Sequence, residues 1–224
     1  MIITIDGPTA SGKSIIARTL AQKLGFYYLP TGWFYRAVAY LLVQKCNYTE
    51  DMLSHPKEDD VAFCLDPTRL VYTYDSQRGG ALFFDEVDIT VSLKDYKVDR
   101  YVAIISPIVI VRNMIVQAQC AFSKTHDSVI EGRDIGSVVF PNAHYKFYLT
   151  ASLAIRAQRW QKDQAKRGNK FTQKQAKQEI SERDEKDMNR KISPLMVPKG
   201  AIEIDNSTMN IERTVQVLLK TIRQ

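Results

Sequence analysis

Residues 7 to 14 read Gly-Pro-Thr-Ala-Ser-Gly-Lys-Ser, a glycine at each end of a tight stretch followed at once by an amine and a hydroxyl. Glycine tolerates backbone geometry that a Cβ forbids. Gly7 and Gly12 therefore let the main chain through Pro8, Thr9, Ala10 and Ser11 curl so that N–H groups face one concavity and wrap an anion. A helix that starts here adds its positive N-terminal end to the same place, with Ile15 in its first turn. Lys13 then reaches the outer phosphates of a nucleoside triphosphate, and the Ser14 hydroxyl is a ligand for Mg²⁺. The chemistry is the holding of nucleotide phosphates. Loops of this kind serve hydrolases, motors, switches and kinases alike, so the acceptor has to be read elsewhere.

Such a loop works only between a strand and a helix, and the flanking sequence supplies both. IITID (2 to 6) is a β-branched run that predicts a buried strand, and SIIARTLAQKLGF (14 to 26) has helical apolar spacing with Gly25 as its stop. A second helix is predicted from Thr31 through WFYRAVAYLLVQK. The segment from Asn47 to about Arg100 is rich in charge and turns, and VYTYD, ALFF and VDITV around QRGG predict an inserted, mainly β subdomain. VAIISPIVIVRNMIVQAQCAF (102 to 122) reads as helical in its second half, limited by Pro107. SVIEG (128 to 132), YKFYLT (145 to 150) and AIEIDN (201 to 206) predict further strands. A polar helical pair is expected over 152 to 190 and a closing amphipathic helix over 210 to 223. Strands alternating with helices imply an α/β fold with a parallel sheet.

Composition narrows the function. The chain of 224 residues fits one domain with an insert, and 45% hydrophobic with 25% charged residues is ordinary for a folded protein in water. Its net charge of +6 is concentrated: between Arg156 and Lys191 there are twelve Lys or Arg against six Asp or Glu. A basic stretch confined in this way suits a small polyphosphate ligand, and basic and aromatic residues are not interleaved as in single-strand binders, so nucleic acid is not an expected partner. The first 30 residues contain Asp6 and Lys13 and lack a basic leader with a long apolar run, which predicts neither signal peptide nor membrane span and hence a cytoplasmic site. Cys46, Cys64 and Cys120 lie far apart in sequence and are expected to be free thiols. His55, His126 and His144 lack ligand spacing, and no heptad run stands out, so the expected state is a monomer.

Three more stretches carry the acceptor side: TGWFYRAVA (31 to 39), EGRDIGSVVFP (131 to 141) and ERDEKDMNRKISPL (182 to 195). Together with the phosphate loop, in this order, they resemble the bacterial cytidylate kinase family. The resemblance spans nearly the whole chain and includes the terminal IDNSTMNIERTVQVLL. It implies a P-loop NTPase-type parallel sheet flanked by helices, in a single nucleoside monophosphate kinase domain over residues 1 to 224. The core would be residues 1 to 46 and 101 to 224, with an acceptor-binding insert at about 47 to 100 and a helical lid at about 156 to 191. The implied reaction is ATP-dependent phosphorylation of CMP and dCMP to CDP and dCDP, with Mg²⁺.

The resemblance also implies roles. Arg36, Arg133 and Arg183 would hold the acceptor phosphate, a task that suits the bidentate guanidinium fork. Asp187 would meet the ribose hydroxyls. Arg112, Asp134 and Arg190 would read the cytosine edge, with Tyr35 and Thr31 beside the acceptor. Phosphoryl transfer asks for charge neutralisation and alignment, so Lys13, Arg133, Arg159 and Arg183 would be the catalytic cations. The basic lid would close and exclude water. Four positions depart from the family pattern: Pro30 stands where an aspartate usually precedes the T/S-G pair, Ala103 where a serine helps read cytosine, Trp160 where the lid has a second arginine, and Val109 where a proline is frequent. Base selectivity is the property these changes bear on. The alternatives are a P-loop kinase with a drifted acceptor, such as UMP, and a non-enzymatic nucleotide-dependent regulator.

Overall fold

In the computed structural model, which describes residues 1–166 and 168–223, the chain runs β1 (Ile2–Asp6), α1 (Lys13–Leu24), β2 (Tyr27–Pro30), α2 (Gly32–Gln44), α3 (Glu58–Leu65), β3 (Leu70–Asp75), β4 (Gly79–Phe84) and β5 (Val87–Asp88). It continues through α4 (Tyr96–Ile105), α5 (Val109–Ser123), β6 (Ser128–Glu131), β7 (Tyr145–Thr150), α6 (Leu153–Lys166), α7 (Gln173–Met188), β8 (Ile202–Asp205) and α8 (Ile211–Ile222). Two compact units result, Met1–Phe26 with Ser128–Gln224, and Tyr27–Asp127.

In the first unit β6, β1, β7 and β8 lie side by side in that order, all parallel. Parallel strands are joined by helical crossovers that cover the sheet, which is why their sequences read as apolar runs. Ile3, Ile5, Val129, Ile130, Phe147 and Leu149 are fully buried. Helix α1 buries Ile16, Ala17, Leu20 and Ala21 and packs on α8, which buries Val215 and Leu218. Because the strands are parallel, the residues after β1, β6, β7 and β8 leave the sheet at one edge, and that edge carries the phosphate loop. Helices α6 and α7 form a hairpin around Ala157, Ala176 and Ile180, with Trp160 packed against them and 4.7 Å from the Phe171 ring. Thr172 and Gln175 cap α7 reciprocally.

The second unit carries the small antiparallel sheet β3-β4-β5. The Arg69 guanidinium lies 3.9 Å from the centroid of Phe63 and 4.9 Å from that of Phe84, and pairs with Asp85. Helix α2 packs on α3 and α4, and α3 on α5. Sequence reading missed α3 and β2, and it overextended the last strand of the insert. At that point the chain leaves the ladder: the Thr90 hydroxyl, rather than a strand carbonyl, accepts the Leu82 N–H at 2.8 Å. Helix also extends to both sides of Pro107. Ser106 keeps helical angles, but Pro107 has no N–H to continue the ladder; α4 ends at Ile105, Ile108 is extended, and α5 restarts at Val109 with a bend of 108°. Val109 occupies the first helical position, the one place in a helix where proline is favoured, so replacing the family's usual proline with valine leaves the helix start in place. Among the described residues no single helix is long and apolar enough to cross a membrane.

Candidate active site

The phosphate loop follows from its glycines. Gly7 has φ of 146°, and a Cβ there would stand 2.0 Å from the Leu149 carbonyl oxygen, so only glycine fits. Gly12, at φ 93°, caps α1, and its carbonyl accepts from the Ile16 N–H, leaving the first-turn N–H groups of the helix available to a ligand. Ala10 adopts φ of 58°, a conformation costly for a residue with a Cβ and common at ligand clamps. Lys13 is 6% exposed, and its Nζ donates to the Pro8 carbonyl at 2.7 Å and the Ser11 hydroxyl at 3.4 Å. Burial first, and the nearby Arg133 charge second, hold the Lys13 amine well below the usual lysine pKa.

A polar network grips the loop from outside. Arg156 donates to the Thr9 carbonyl at 2.9 Å and pairs with Asp184, which in turn accepts the Thr9 N–H at 2.8 Å. The Ser11 carbonyl accepts from Asn206 Nδ2 at 2.9 Å and Arg159 Nη1 at 3.3 Å. In a trans peptide the N–H points opposite to the carbonyl, so fixing these two carbonyls outward aims the N–H groups of Ala10 and Gly12 the other way. Arg133 donates to the Gly7 carbonyl at 3.0 Å, the Thr9 hydroxyl at 3.1 Å and Asp187 Oδ2 at 2.8 Å. Asp187 also pairs with Arg190.

Beneath the loop, Asp6 at the end of β1 accepts the N–H groups of Ile135 at 2.9 Å and Gly136 at 2.7 Å. These open a π-helical turn, Ile135–Val139, a local irregularity frequent at functional sites. Burial pushes the Asp6 carboxyl up to about 6 against those two N–H bonds, and the Asp134 charge adds to the rise. Asp134 is itself 7% exposed. On the other side of the loop the Ser14 hydroxyl donates to Glu131 Oε1 at 3.0 Å. A hydroxyl beside a carboxylate is the hard-oxygen pair that Mg²⁺ prefers, so these residues fit the ion.

The second unit holds the other predicted residues. Arg36 donates to the Leu93 carbonyl at 2.8 Å and pairs with Asp99 on α4. Arg112 is 4% exposed, donates to the Ser106 carbonyl at 3.3 Å and lies 5.8 Å from the Tyr35 ring centroid. Thr31 is buried at the start of α2, and Pro30 is buried at the end of β2. Ala103 is exposed on α4 one turn after Asp99, on the same helix face.

Residues 3–224 match the family described as cytidylate kinase. A cytidylate kinase of Thermotoga maritima is 37% identical over 222 residues, 99% of this chain and 96% of that protein. Another, from Thermodesulfovibrio yellowstonii, is 34% identical over 223 residues, covering 100% and 98% of the two chains. The chain belongs to the cytidylate kinase family. A shikimate kinase from Bacteroides thetaiotaomicron, 12% identical, superposes with a TM-score of 0.50 over 100% of this chain and 99% of that one, which speaks to the fold alone.

For a cytidylate kinase, the structure groups the predicted residues unevenly. Residues 7 to 15, Arg133, Asp134, Arg159, Asp187 and Arg190 belong to one unit, where the bonds above tie Arg133, Arg159, Asp187 and Arg190 to the phosphate loop or to one another; Arg183 is exposed on α7 beside the buried Asp184. Thr31, Tyr35, Arg36, Ala103 and Arg112 belong to the other. Sequence reading passed over Asp6, Glu131, Arg156, Asp184 and Asn206. Position marked three of them: Asp6 and Glu131 end strands at the loop's edge of the sheet, and Asn206 follows one. Trp160, where the resemblance led us to expect a second arginine, packs against the α6–α7 hairpin core and the Phe171 ring.

Proposed function

We propose that the chain transfers the γ-phosphoryl group of ATP to CMP and dCMP. Membership of the cytidylate kinase family over nearly the full chain supports this. The observation that carries it is the preformed phosphate loop with Arg133 bridging from loop carbonyl to Asp187. That bridge links a donor-phosphate cradle to an acceptor cation.

The loop receives the donor phosphates on main-chain N–H groups, and Lys13 turns from the Pro8 carbonyl to the β- and γ-oxygens. Its amine, whose pKa burial depresses, is favoured in its charged form once the phosphates arrive. Asp187 pairs with both Arg133 and Arg190. An incoming acceptor phosphate competes for Arg133, while the ribose hydroxyls donate to the carboxylate so released. Charge is exchanged rather than newly buried, which lowers the desolvation cost of binding a dianion. Arg36 and Arg183 supply further phosphate contacts, and Arg112, Asp134 and Arg190 read the base, with Tyr35 and Thr31 beside it. Lys13, Arg133, Arg159 and Arg183 then stabilise the charge of the transferring group. Ser14 and Glu131 would hold Mg²⁺, which when bound neutralises phosphate charge and aligns the oxygens.

The segment 156 to 191 acts as the lid. Its hairpin core is Ala157, Ala176 and Ile180, and Arg167 within it lies outside the described residues. Residues 47 to 100 serve the acceptor. The working state is a cytoplasmic monomer that binds small nucleotides. A coupled ADP-release assay over CMP, dCMP, UMP, AMP and GMP tests the reading. CMP and dCMP should lead by k_cat/K_M. Preference for UMP or a purine would replace the acceptor, and no turnover with any of them would remove the kinase reading.

A further inference from the structure

The loop after β8 presents a buried amide with an unusual set of bonds. Asn206 is 3% exposed, and its N–H donates to the Thr150 carbonyl at 2.9 Å, continuing the β7–β8 pairing beyond the strand. Its Nδ2 donates to the Ser11 carbonyl at 2.9 Å. Its Oδ1 accepts from Arg159 Nη1 at 2.9 Å, and its main-chain carbonyl accepts from Nη2 of the same guanidinium at 3.0 Å. One residue thus joins the sheet edge, the phosphate loop and the arginine on α6. The fixed pair sits over Gly12, where a Cβ would stand 3.6 Å from Asn206 Nδ2 and 3.9 Å from Arg159 Nη1.

We propose that Asn206 is a positioning residue that holds the Arg159 guanidinium against the phosphate loop, so that this cation and the loop backbone meet the nucleotide phosphates as one rigid group. The reaction named rests on the kinase reading; the coupling of Asn206 to Arg159 does not. Asparagine suits the place because one planar group both donates to Ser11 and accepts from arginine. Aspartate would lose the donor and alanine both. Two parallel bonds fix a guanidinium fork, whereas a lysine ammonium at position 159 would carry the charge without the fixed orientation. A cation held in place before binding needs no reorganisation when phosphate charge develops.

A double-mutant cycle over Asn206→Ala and Arg159→Ala tests this, with k_cat, both K_M values, ATP affinity by direct titration, and T_m measured for every chain. Asn206→Ala should lower k_cat about tenfold with little change in the K_M for CMP, as expected for a lost pair of hydrogen bonds. In the Arg159→Ala background it should cost less than about twofold, because its partner is already gone. Equal losses in both backgrounds would overturn the proposal, since a merely structural asparagine gives that result. Arg159→Lys carries the test should Asn206→Ala not fold: it should lose nearly as much as Arg159→Ala, and full activity would sink the positioning role. A wild-type chain that binds ATP without phosphorylating CMP would fail the acceptor reading alone. The ATP titrations would then decide on Asn206 by the same coupling.

Discussion

The phosphate loop and the acceptor-side arginines answer one electrostatic demand with different parts. Around the loop the groups proposed to face the ligand are main-chain N–H groups, aimed by Arg156, Arg159 and Asn206, which grip the carbonyls of Thr9 and Ser11, while Asp184 holds Arg156 and the Thr9 N–H. On the proposed acceptor side the groups are guanidinium ions, each already holding a carboxylate: Arg133 and Arg190 on Asp187, Arg36 on Asp99. A backbone cradle needs no counter-charge and is ready before the nucleotide comes. Stored cations need one, and binding becomes an exchange of partners. The loop should therefore fail by loss of charge at Lys13, and the acceptor side by loss of individual forks.

The largest effect is expected from Lys13→Ala. It removes the amine from the cradle and leaves the sheet untouched, because among the described residues the Lys13 amine bonds within its own loop, to Pro8 and Ser11. Loss of one such transition-state contact costs about a hundredfold to a thousandfold in k_cat. Wild-type turnover of CMP by the variant would break the assignment of the loop.

Arg133→Met and Arg36→Met separate the two regions. A hydrogen bond to a charged group contributes roughly 1.5–3 kcal/mol, so either loss should cost about tenfold to a hundredfold in k_cat/K_M for CMP. Arg133 also holds the Gly7 carbonyl and the Thr9 hydroxyl, so its loss should raise the K_M for ATP as well. Arg36 bonds Leu93 and Asp99 within its own unit, and its loss should leave ATP kinetics unchanged. Steady-state constants for both substrates decide. Identical profiles for the two variants would erase the contrast.

Much of this was legible in the sequence, for identifiable reasons. The strand-loop-helix start, the polar helix pair and the last strand and helix carry strong periodicity or glycine punctuation, and they stand where the pattern put them. The short strand Tyr27–Pro30 was not legible, because it follows Gly25 without alternation and ends in proline. The helix before Pro107 was masked by an apolar run that fits strand and helix equally. At the site, cations were readable because they sit in motifs. Asp187 was readable in the same way, but Asp184 and Asn206 were not: Asp184 and Thr9 are 175 positions apart, and Asn206 and Ser11 are 195 apart, so only the parallel sheet brings them together.

The proton balance of the loop gives a subtler handle. The Lys13 amine is held well below its usual pKa in the free chain, chiefly by burial, and phosphate charge must raise it. Between those two values binding takes up a proton, so ATP affinity should fall as pH rises, at most about tenfold per pH unit. Calorimetry of ATP binding in buffers of different ionisation enthalpy should show this uptake, and Lys13→Ala should abolish it. Zero proton uptake in the wild-type chain would mean that Lys13 is already charged before ATP arrives.

The smallest effect tests the proposed acceptor side at Ala103, where the resemblance led us to expect a serine. Ala103 is exposed on α4 one turn beyond Asp99, on the face that carries the Arg36 pair, so a hydroxyl placed there would project beside the acceptor groups of that unit. Cytosine presents an exocyclic amine, a donor, next to a ring nitrogen that accepts, and uracil reverses both. Serine could accept from the amine, whereas alanine offers nothing, which leaves Asp134 and Arg112 to discriminate. One hydrogen bond contributes roughly 0.5–1.5 kcal/mol, or about twofold to tenfold. Ala103→Ser should therefore raise the CMP/UMP ratio of k_cat/K_M by up to about tenfold while leaving the K_M for ATP alone. The substitution sits on a helix surface, where serine costs little stability, so the ratio can be read without a folding correction. An unmoved ratio would place base reading on Asp134 and Arg112 alone, and would make the acceptor side, like the donor loop, independent of this position.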